Sequence, residues 1–559
     1  MKVPGLLRPS NFRGVCYRLI GLFCGLMFLS EQAAGQVEGI GREDSLRGSI
    51  TKEREWWDLL FYHLSIKVEP DRKAISGSNL IRYRVDAPYQ KIQIDLQEPL
   101  RITKVLQEGV EQTFTRDGSV WMITLTKTQT PGSIRELTVF YAGVPKEAIR
   151  PPWEGGVQWT RDKKGNWFVA TSCQGLGASV WWPCKDHMYD EPDSMRISVN
   201  VPEGLKNVSN GRLYSEEKLD DGSVTYHWGV KNPINNYGVN FNIGNYVNWH
   251  ETYLGENGAL DVSYYVLPEN LEVAKKHFIQ VPMTLKAFEH WFGPYPFYSD
   301  GFKIVEVPYL GMEHQSSVTY GNQYANGYLG RDLSGTGWGM KFDFILIHET
   351  GHEWFANNIT YRDIADMWIH ESFTSYGESL YLEYHFGKKA ASEYLIGTRA
   401  TIQNQAKVMG VFGVNRRGSG DMYPKGANML HTLRQIVDDD ELWRKLLRGL
   451  NKEFYHKTVT GADIVEYLNK SSGKNLSLVF KQYLEDIRIP VLEYTFKDKA
   501  LHYRWNKVIQ GFDMPVKVSL GNVETWLYPV ADTWAKLETP QTTLEVSPDF
   551  YVTSLEFRD

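Results

Sequence analysis

The sequence predicts a multidomain α+β protein, with an all-β N-terminal domain, a mainly helical central domain and a small C-terminal β-sandwich. Three observations predict it. At 559 residues the chain exceeds what one hydrophobic core supports. Apolar and polar residues nearly alternate in runs from about Arg54 to Val266 and again after Pro490, as half-buried strands do. Between those stretches apolar residues recur at three-to-four spacing, as along one face of a helix. The expected divisions are a signal peptide over 1–35, a linker over 36–53, the β domain over 54–265, the central domain over 266–489 and the C-terminal β domain over 490–559.

At the N-terminus Lys2, Arg8, Arg13 and Arg18 precede the apolar run LIGLFCGLMFLS, and the small residues Ala33, Ala34 and Gly35 follow. A basic segment, a short apolar core and a small-residue site suit an export signal cut near Gly35, so the mature protein is expected in the periplasm or secreted. The run is too short for a comfortable membrane span, and no stable span is expected after cleavage; an uncleaved anchor is the alternative. Cys24 follows Phe23 and not a small residue, which disfavours a lipid-anchored cysteine. Cys16 and Cys24 leave with the signal. Cys173 and Cys184 remain; they could pair in an oxidising compartment, but spacing alone does not set disulfide geometry and free buried thiols are expected.

Within 54–265, FYHLSIKV (61–68) and KIQIDL (91–96) read as strands, and DGS (117–119) and DDGS (220–223) as turns. The stretch from Pro268 to Gly293 reads as helix stopped by glycine. GADIVEYLNKSSG (461–473) reads as another, with Thr460 and Asp463 as a capping pair. VLEYTFKDKALHYRW (491–505) reads as a hairpin. Apolar content of 42% and charged content of 23% fit a soluble globular chain, and a net charge of −6 without a basic run excludes nucleic-acid binding as the favoured reading. The 18 Trp and 32 Tyr fit sheet cores and leave aromatic-lined clefts open.

The segment KFDFILIHETGHEWFANNI (341–359) is apolar enough for a buried helix. On a helix His348 and His352 lie one turn apart on one face and can converge on one ion, and imidazole suits zinc. Glu349 points about 100° from His348, toward a water and away from the metal. Gly351 costs about 1 kcal/mol against Ala, which suggests close packing there. A helix that merely carries two histidines stays open on this string alone. A catalytic zinc site needs a third protein ligand and an open position. Glu371, nineteen residues after His352 in WIHESFTSYGES, supplies one, with His370 as a rival. Glu378, two turns beyond Glu371, suits a carboxylate supporting the ligands.

Here the residues resemble a family. HExxH followed by eighteen residues and Glu is similar to the zinc aminopeptidases related to aminopeptidase N and leukotriene hydrolase, in a short form without the C-terminal helical domain. WIHESF resembles their Trp-Leu-Asn-Glu-Gly segment, GMEHQ (311–315) their Gly-x-Met-Glu-Asn segment and YPKG (423–426) their Tyr-x-Lys-Gly segment. TSCQGLGASVWWPCKDHMYDEPDS (171–194) resembles a signature of their N-terminal domain. The resemblance covers roughly residues 55–559. It implies a thermolysin-like central catalytic domain and one Zn2+ held by His348, His352 and Glu371. It implies Glu349 as general base and Tyr423 as hydrogen-bond donor to the oxyanion. Glu313, helped by Gln174 and set in Gly311, Met312 and His314, would bind the free α-ammonium of peptide substrates.

Two departures stand out: His314 replaces the usual Asn, and Ser172 stands where some members carry an amide. An imidazole charged near pH 6–7 would alter how an ammonium is held. The missing helical roof implies an open cleft that admits longer peptides. The alternatives are an endopeptidase or small-ester or epoxide hydrolase on the same site, and a non-catalytic peptide-binding member. Retention of Glu349 and Tyr423 argues against the last.

Overall fold

The computed structural model describes residues 39–557. The signal-peptide reading, 1–35, lies outside the described residues. The strand Trp57–Glu69 buries Leu64, Ile66 and Val68 and exposes Ser65 and Lys67, as its alternation requires. It sits inside an eight-stranded sheet, parallel to Ser194–Val201 and antiparallel to Ala74–Val85. Lys91–Asp95 joins a three-stranded sheet with Val120–Thr124 and Thr113–Asp117, the last two linked through Gly118 at φ 60°. A four-stranded sheet carries Trp167–Ser172, which leads directly to Gln174.

The linker reading over 36–53 meets more structure than expected. Residues Arg42–Gly48 form helix α1 and Lys52–Glu55 helix α2. The guanidinium of fully buried Arg54 explains this. Its Nη1 donates to the carbonyls of Leu46, Arg47 and Ser49 at 3.3, 2.9 and 2.9 Å, satisfying the free end of α1, while Nη2 bonds Asp95 at 2.6 Å. The other side of α1 grips the loop before Tyr423: Asn415 N–H donates to the Asp44 carbonyl at 3.0 Å and Arg416 pairs with the Asp44 carboxylate at 2.9 Å. A Cβ on Gly48 would lie 2.1 Å from the Val414 backbone, so only glycine fits this approach. Composition does not reveal such anchoring because the partners lie hundreds of residues away.

The hairpin Val247–Gly255 and Gly258–Val266, assigned by alternation to the N-terminal domain, pairs in parallel with Phe302–Glu306. It therefore belongs to the five-stranded sheet of the central region, completed by Val318–Tyr320 and Gly311–Met312. Alternation marks a strand but not the sheet that it joins. The helix read over Pro268–Gly293 is two: α3 (Leu271–His277) and α4 (Gln280–Phe292), ended at Gly293 with φ 97°. Pro282 is the reason. It has no N–H for the Phe278 carbonyl, so the helix restarts with proline in its first turn.

Helices α5 (Phe344–Gly351), α6 (Trp368–Phe386), α7 (Lys388–Thr398), α8 (Pro424–Val437), α9 (Asp440–Glu453), α10 (Gly461–Ser472) and α11 (Ser477–Glu485) follow. The Thr460–Asp463 capping box opens α10 as expected. Buried α6 packs against α4, α5, α7 and α8. After Pro490 the hairpin Val491–Lys497 and Ala500–Asn506 turns through Asp498 and Lys499 at φ 51° and 59°, the paired left-handed conformation that two-residue hairpins favour. It lies in a four-stranded sheet beside a three-stranded one, and both share the hydrophobic core of the central helices. Cys173 and Cys184 are buried free thiols. No helix of the described residues is long and apolar enough to cross a membrane.

Arg54 gives the first test. Arg54→Met strands Asp95 in the core and uncaps α1, so the unfolding free energy should fall by about 3–5 kcal/mol. A denaturant midpoint unchanged from the parent would remove Arg54 from this role.

Candidate metal centre

Asp343 starts α5. Its carboxylate accepts from the Leu346 N–H at 3.0 Å, Asn322 Nδ2 at 2.9 Å, the Tyr320 hydroxyl at 2.6 Å and His277 Nε2 at 2.7 Å. The helix ends sooner than its apolar run suggests: α5 stops at Gly351, and Phe355 and Ala356 leave helical geometry. That unwinding turns the Phe355 carbonyl onto His352 Nδ1 at 2.9 Å. A Cβ on Gly351 would meet Thr374 Cγ2 at 3.1 Å and Phe288 at 3.4 Å, so α5 is packed tightly between α6 and α4 there.

These anchors set the tautomers. A carbonyl only accepts, so His352 carries its proton on Nδ1 and presents a lone pair at Nε2. His348 Nδ1 faces Glu378 Oε1 at 2.8 Å, which likewise leaves its Nε2 as the free donor atom, and Tyr394 donates to Glu378 Oε2 at 2.6 Å. The two Nε2 atoms face each other at 3.2 Å. Glu371 Oε2 lies 3.3 Å from His352 Nε2 and 3.6 Å from His348 Nε2, and it is buried without a hydrogen-bond partner. Three atoms able to act as metal ligands thus converge on one point. Two imidazoles and a carboxylate so arranged fit a zinc-type cation.

The other predicted residues gather around this centre. Gln174 Nε2 donates to Glu313 Oε1 at 2.7 Å and to Glu371 Oε1 at 2.9 Å, bridging the two carboxylates. Asn357 Nδ2 holds the Glu313 carbonyl at 2.9 Å. Gly311 runs so close to α5 that a Cβ would lie 2.5 Å from Ile345 Cγ2. Met312 is buried in the core of the N-terminal sheets, away from open solvent. Tyr423 precedes Pro424, the first residue of α8, and its ring stacks on His348 with centroids 6.0 Å apart. A Cβ on Gly426 would fall 1.9 Å from Ser372 Oγ, which explains a glycine where α8 meets α6.

His314 is fully buried with Nδ1 3.1 Å from Thr319 Oγ1, and burial pushes its pKa down to about 3. It is therefore neutral and brings no positive charge near Glu313. His370 is not a ligand: Nε2 accepts the Tyr361 backbone N–H at 3.0 Å and Nδ1 meets the Tyr237 hydroxyl at 3.3 Å. Ser172 Oγ is buried and makes no hydrogen bond.

The site is acidic and buried. Burial, then Glu313 and Glu371, push Glu349 up to about 8 against the pull of His348 and His352. Burial likewise raises Glu313. Burial opposes charge on Glu371 too, but His352 and His348 outweigh it and hold this carboxyl well below the usual range. A buried cluster of Glu313, Glu349 and Glu371 calls for positive charge in two places, between the three converging atoms and beside Glu313. Sequence reasoning missed Asp343, Tyr394 and Tyr237, since no local pattern marks a distant residue as the partner of a site carboxylate or histidine.

Residues 60–237 match the Peptidase M1 N-terminal domain and residues 278–483 the Peptidase family M1 domain, together well over half of the chain. A leucyl aminopeptidase of Saccharolobus solfataricus is 20% identical over 381 residues, 66% of this chain and 46% of that protein. A glutamyl aminopeptidase of Sus scrofa is 23% identical over 471 residues, 77% of this chain and 47% of that protein. The chain spans about half the length of these curated relatives. The crystal structure of an M1 zinc metallopeptidase from Deinococcus radiodurans superposes with a TM-score of 0.65 at 19% identity, covering 78% of this chain and 96% of that one. A mutant of that enzyme bound to a Tyr-Ser-Ala substrate gives 0.63, also at 19% identity, over 77% and 95%. The chain belongs to the M1 peptidase family.

Proposed function

We propose that the protein is a zinc-dependent aminopeptidase that removes N-terminal residues from peptides. The observation that carries this reading is the bridge by Gln174 from Glu371, beside the three converging atoms, to Glu313. A carboxylate suits a free α-ammonium through a short, charge-assisted hydrogen bond that a blocked terminus cannot make. Held there, the first peptide bond lies over the metal centre, and the cut falls after one residue. The aminopeptidase names of its relatives and the tripeptide bound by the Deinococcus variant support the same reading.

His348, His352 and Glu371 would hold the zinc, whose chemistry is Lewis acidity toward a carbonyl and toward water. Glu349, buried and poised to exchange a proton, takes one from the attacking water and passes it to the leaving amine. Tyr423 donates a hydrogen bond to the oxygen on which charge develops. Glu378 fixes the His348 tautomer and, with Tyr394, keeps the ring aimed. Because His314 is neutral, it does not repel the substrate amine, and exopeptidase control by Glu313 is preserved.

We also infer export to the periplasm or beyond, from the basic and apolar N-terminal run alone. N-terminal sequencing of the mature protein should begin just after Gly35; a start at Met1 would reject it.

Two activity tests follow. An aminoacyl-anilide should be cleaved and its N-acetylated form should not, with activity lost on chelation and restored by zinc; equal cleavage of the two anilides would sink the aminopeptidase reading. Glu349→Gln should retain bound zinc yet lose about 10²–10⁴-fold in kcat. Wild-type turnover in that variant would require a different base.

A further inference from the structure

His370 precedes Glu371 on α6 and is fully buried. Its Nε2 receives the Tyr361 backbone N–H at 3.0 Å. A backbone N–H only donates, so Nε2 carries no proton and the imidazole is neutral with its hydrogen on Nδ1. Nδ1 lies 3.3 Å from the Tyr237 hydroxyl and must donate to its oxygen. The phenol proton is then free to point elsewhere, and after burial Glu313 is the group that acts most strongly on that hydroxyl, as Tyr237 in turn acts on Glu313. The rings are locked: Tyr237 stacks on His370 with centroids 6.4 Å apart, and Tyr361 covers it at 4.2 Å.

We propose that His370 and Tyr237 are positioning residues for the amine subsite, a relay running from the Tyr361 N–H through His370 and Tyr237 that aims an O–H at Glu313. Together with Gln174 Nε2 at 2.7 Å, the relay gives the Glu313 carboxylate two directed donors. Its remaining lone pairs are thereby pre-aimed at the substrate ammonium. Residues 370 and 371, neighbours on one helical turn, thus serve the two halves of the site: Glu371 toward the metal, His370 toward the N-terminus of the peptide. The inference rests on the aminopeptidase reading.

The test is a double-mutant cycle with zinc-loaded Tyr237→Phe, His370→Gln and the double variant. Tyr237→Phe removes only a hydroxyl and preserves the packing of the ring. Each single variant should raise KM for an aminoacyl-anilide about tenfold, as loss of a hydrogen bond to a charged group does. Zinc content and kcat should stay near wild type, and the preference over the N-acetylated anilide should shrink by the same factor. The double variant should show the same tenfold loss, because the two residues act through one bond. Three results would overturn the relay: an unchanged KM in Tyr237→Phe, single effects that multiply to about a hundredfold, or a His370→Gln defect that appears only as lost zinc. A wild-type enzyme that cleaves both anilides equally would instead overturn the aminopeptidase reading, and the relay with it.

Discussion

His348 Nε2 and His352 Nε2, 3.2 Å apart, must be turned toward the same point as the Glu371 carboxylate. Everything around them holds that arrangement in place. The Phe355 carbonyl and Glu378 take the protons on the far side of the rings, and α6 brings Glu371 to the same point. A cation bound by His348, His352 and Glu371 would satisfy all three atoms at once. Asp343 keeps the first turn of α5 fixed, and the unwinding after Gly351 is needed to bring the Phe355 carbonyl back onto His352.

The same logic extends outward to substrate recognition. Glu313 lies in a buried acidic group, where a lone carboxylate is costly unless donors reach it. Gln174 comes from the end of an N-terminal strand, Asn357 from the chain just past α5, and Glu313 itself from a loop beside the five-stranded sheet. Three separate parts of the chain therefore meet at one residue, Gln174 donating to the Glu313 carboxylate and Asn357 to its backbone carbonyl. The amine subsite we propose would exist only when the N-terminal sheets and the central helices are docked together.

Much of this was legible in the sequence because its signals are local. His348, His352 and Glu349 fall four and one positions apart on a helix, and the alternation of Leu64, Ile66 and Val68 marks a strand without outside help. The capping pair of Thr460 and Asp463 and the turn at Asp498 are equally short-range. What escaped was set by partners far along the chain. Nothing near residue 250 shows that its hairpin pairs with Phe302–Glu306, and nothing near residue 45 shows that Asp44 meets Arg416. His370 could be read as a ligand because its neighbour is aimed at the metal; only Tyr361 and Tyr237 show that its nitrogens are spent elsewhere. The split between α3 and α4 was readable from Pro282, yet the apolar spacing on either side masked it.

The clasp between α1 and the loop before Tyr423 has a consequence for the order of assembly. Asp44 and Arg416 lie 372 positions apart, so α1 leaves the ribosome long before its partner is made. Closing a contact of such high sequence separation carries a loop-closure cost that local contacts avoid. The clasp can close only once the chain through Arg416 has been made, and it then ties the first helix of the described chain to the loop that precedes Tyr423.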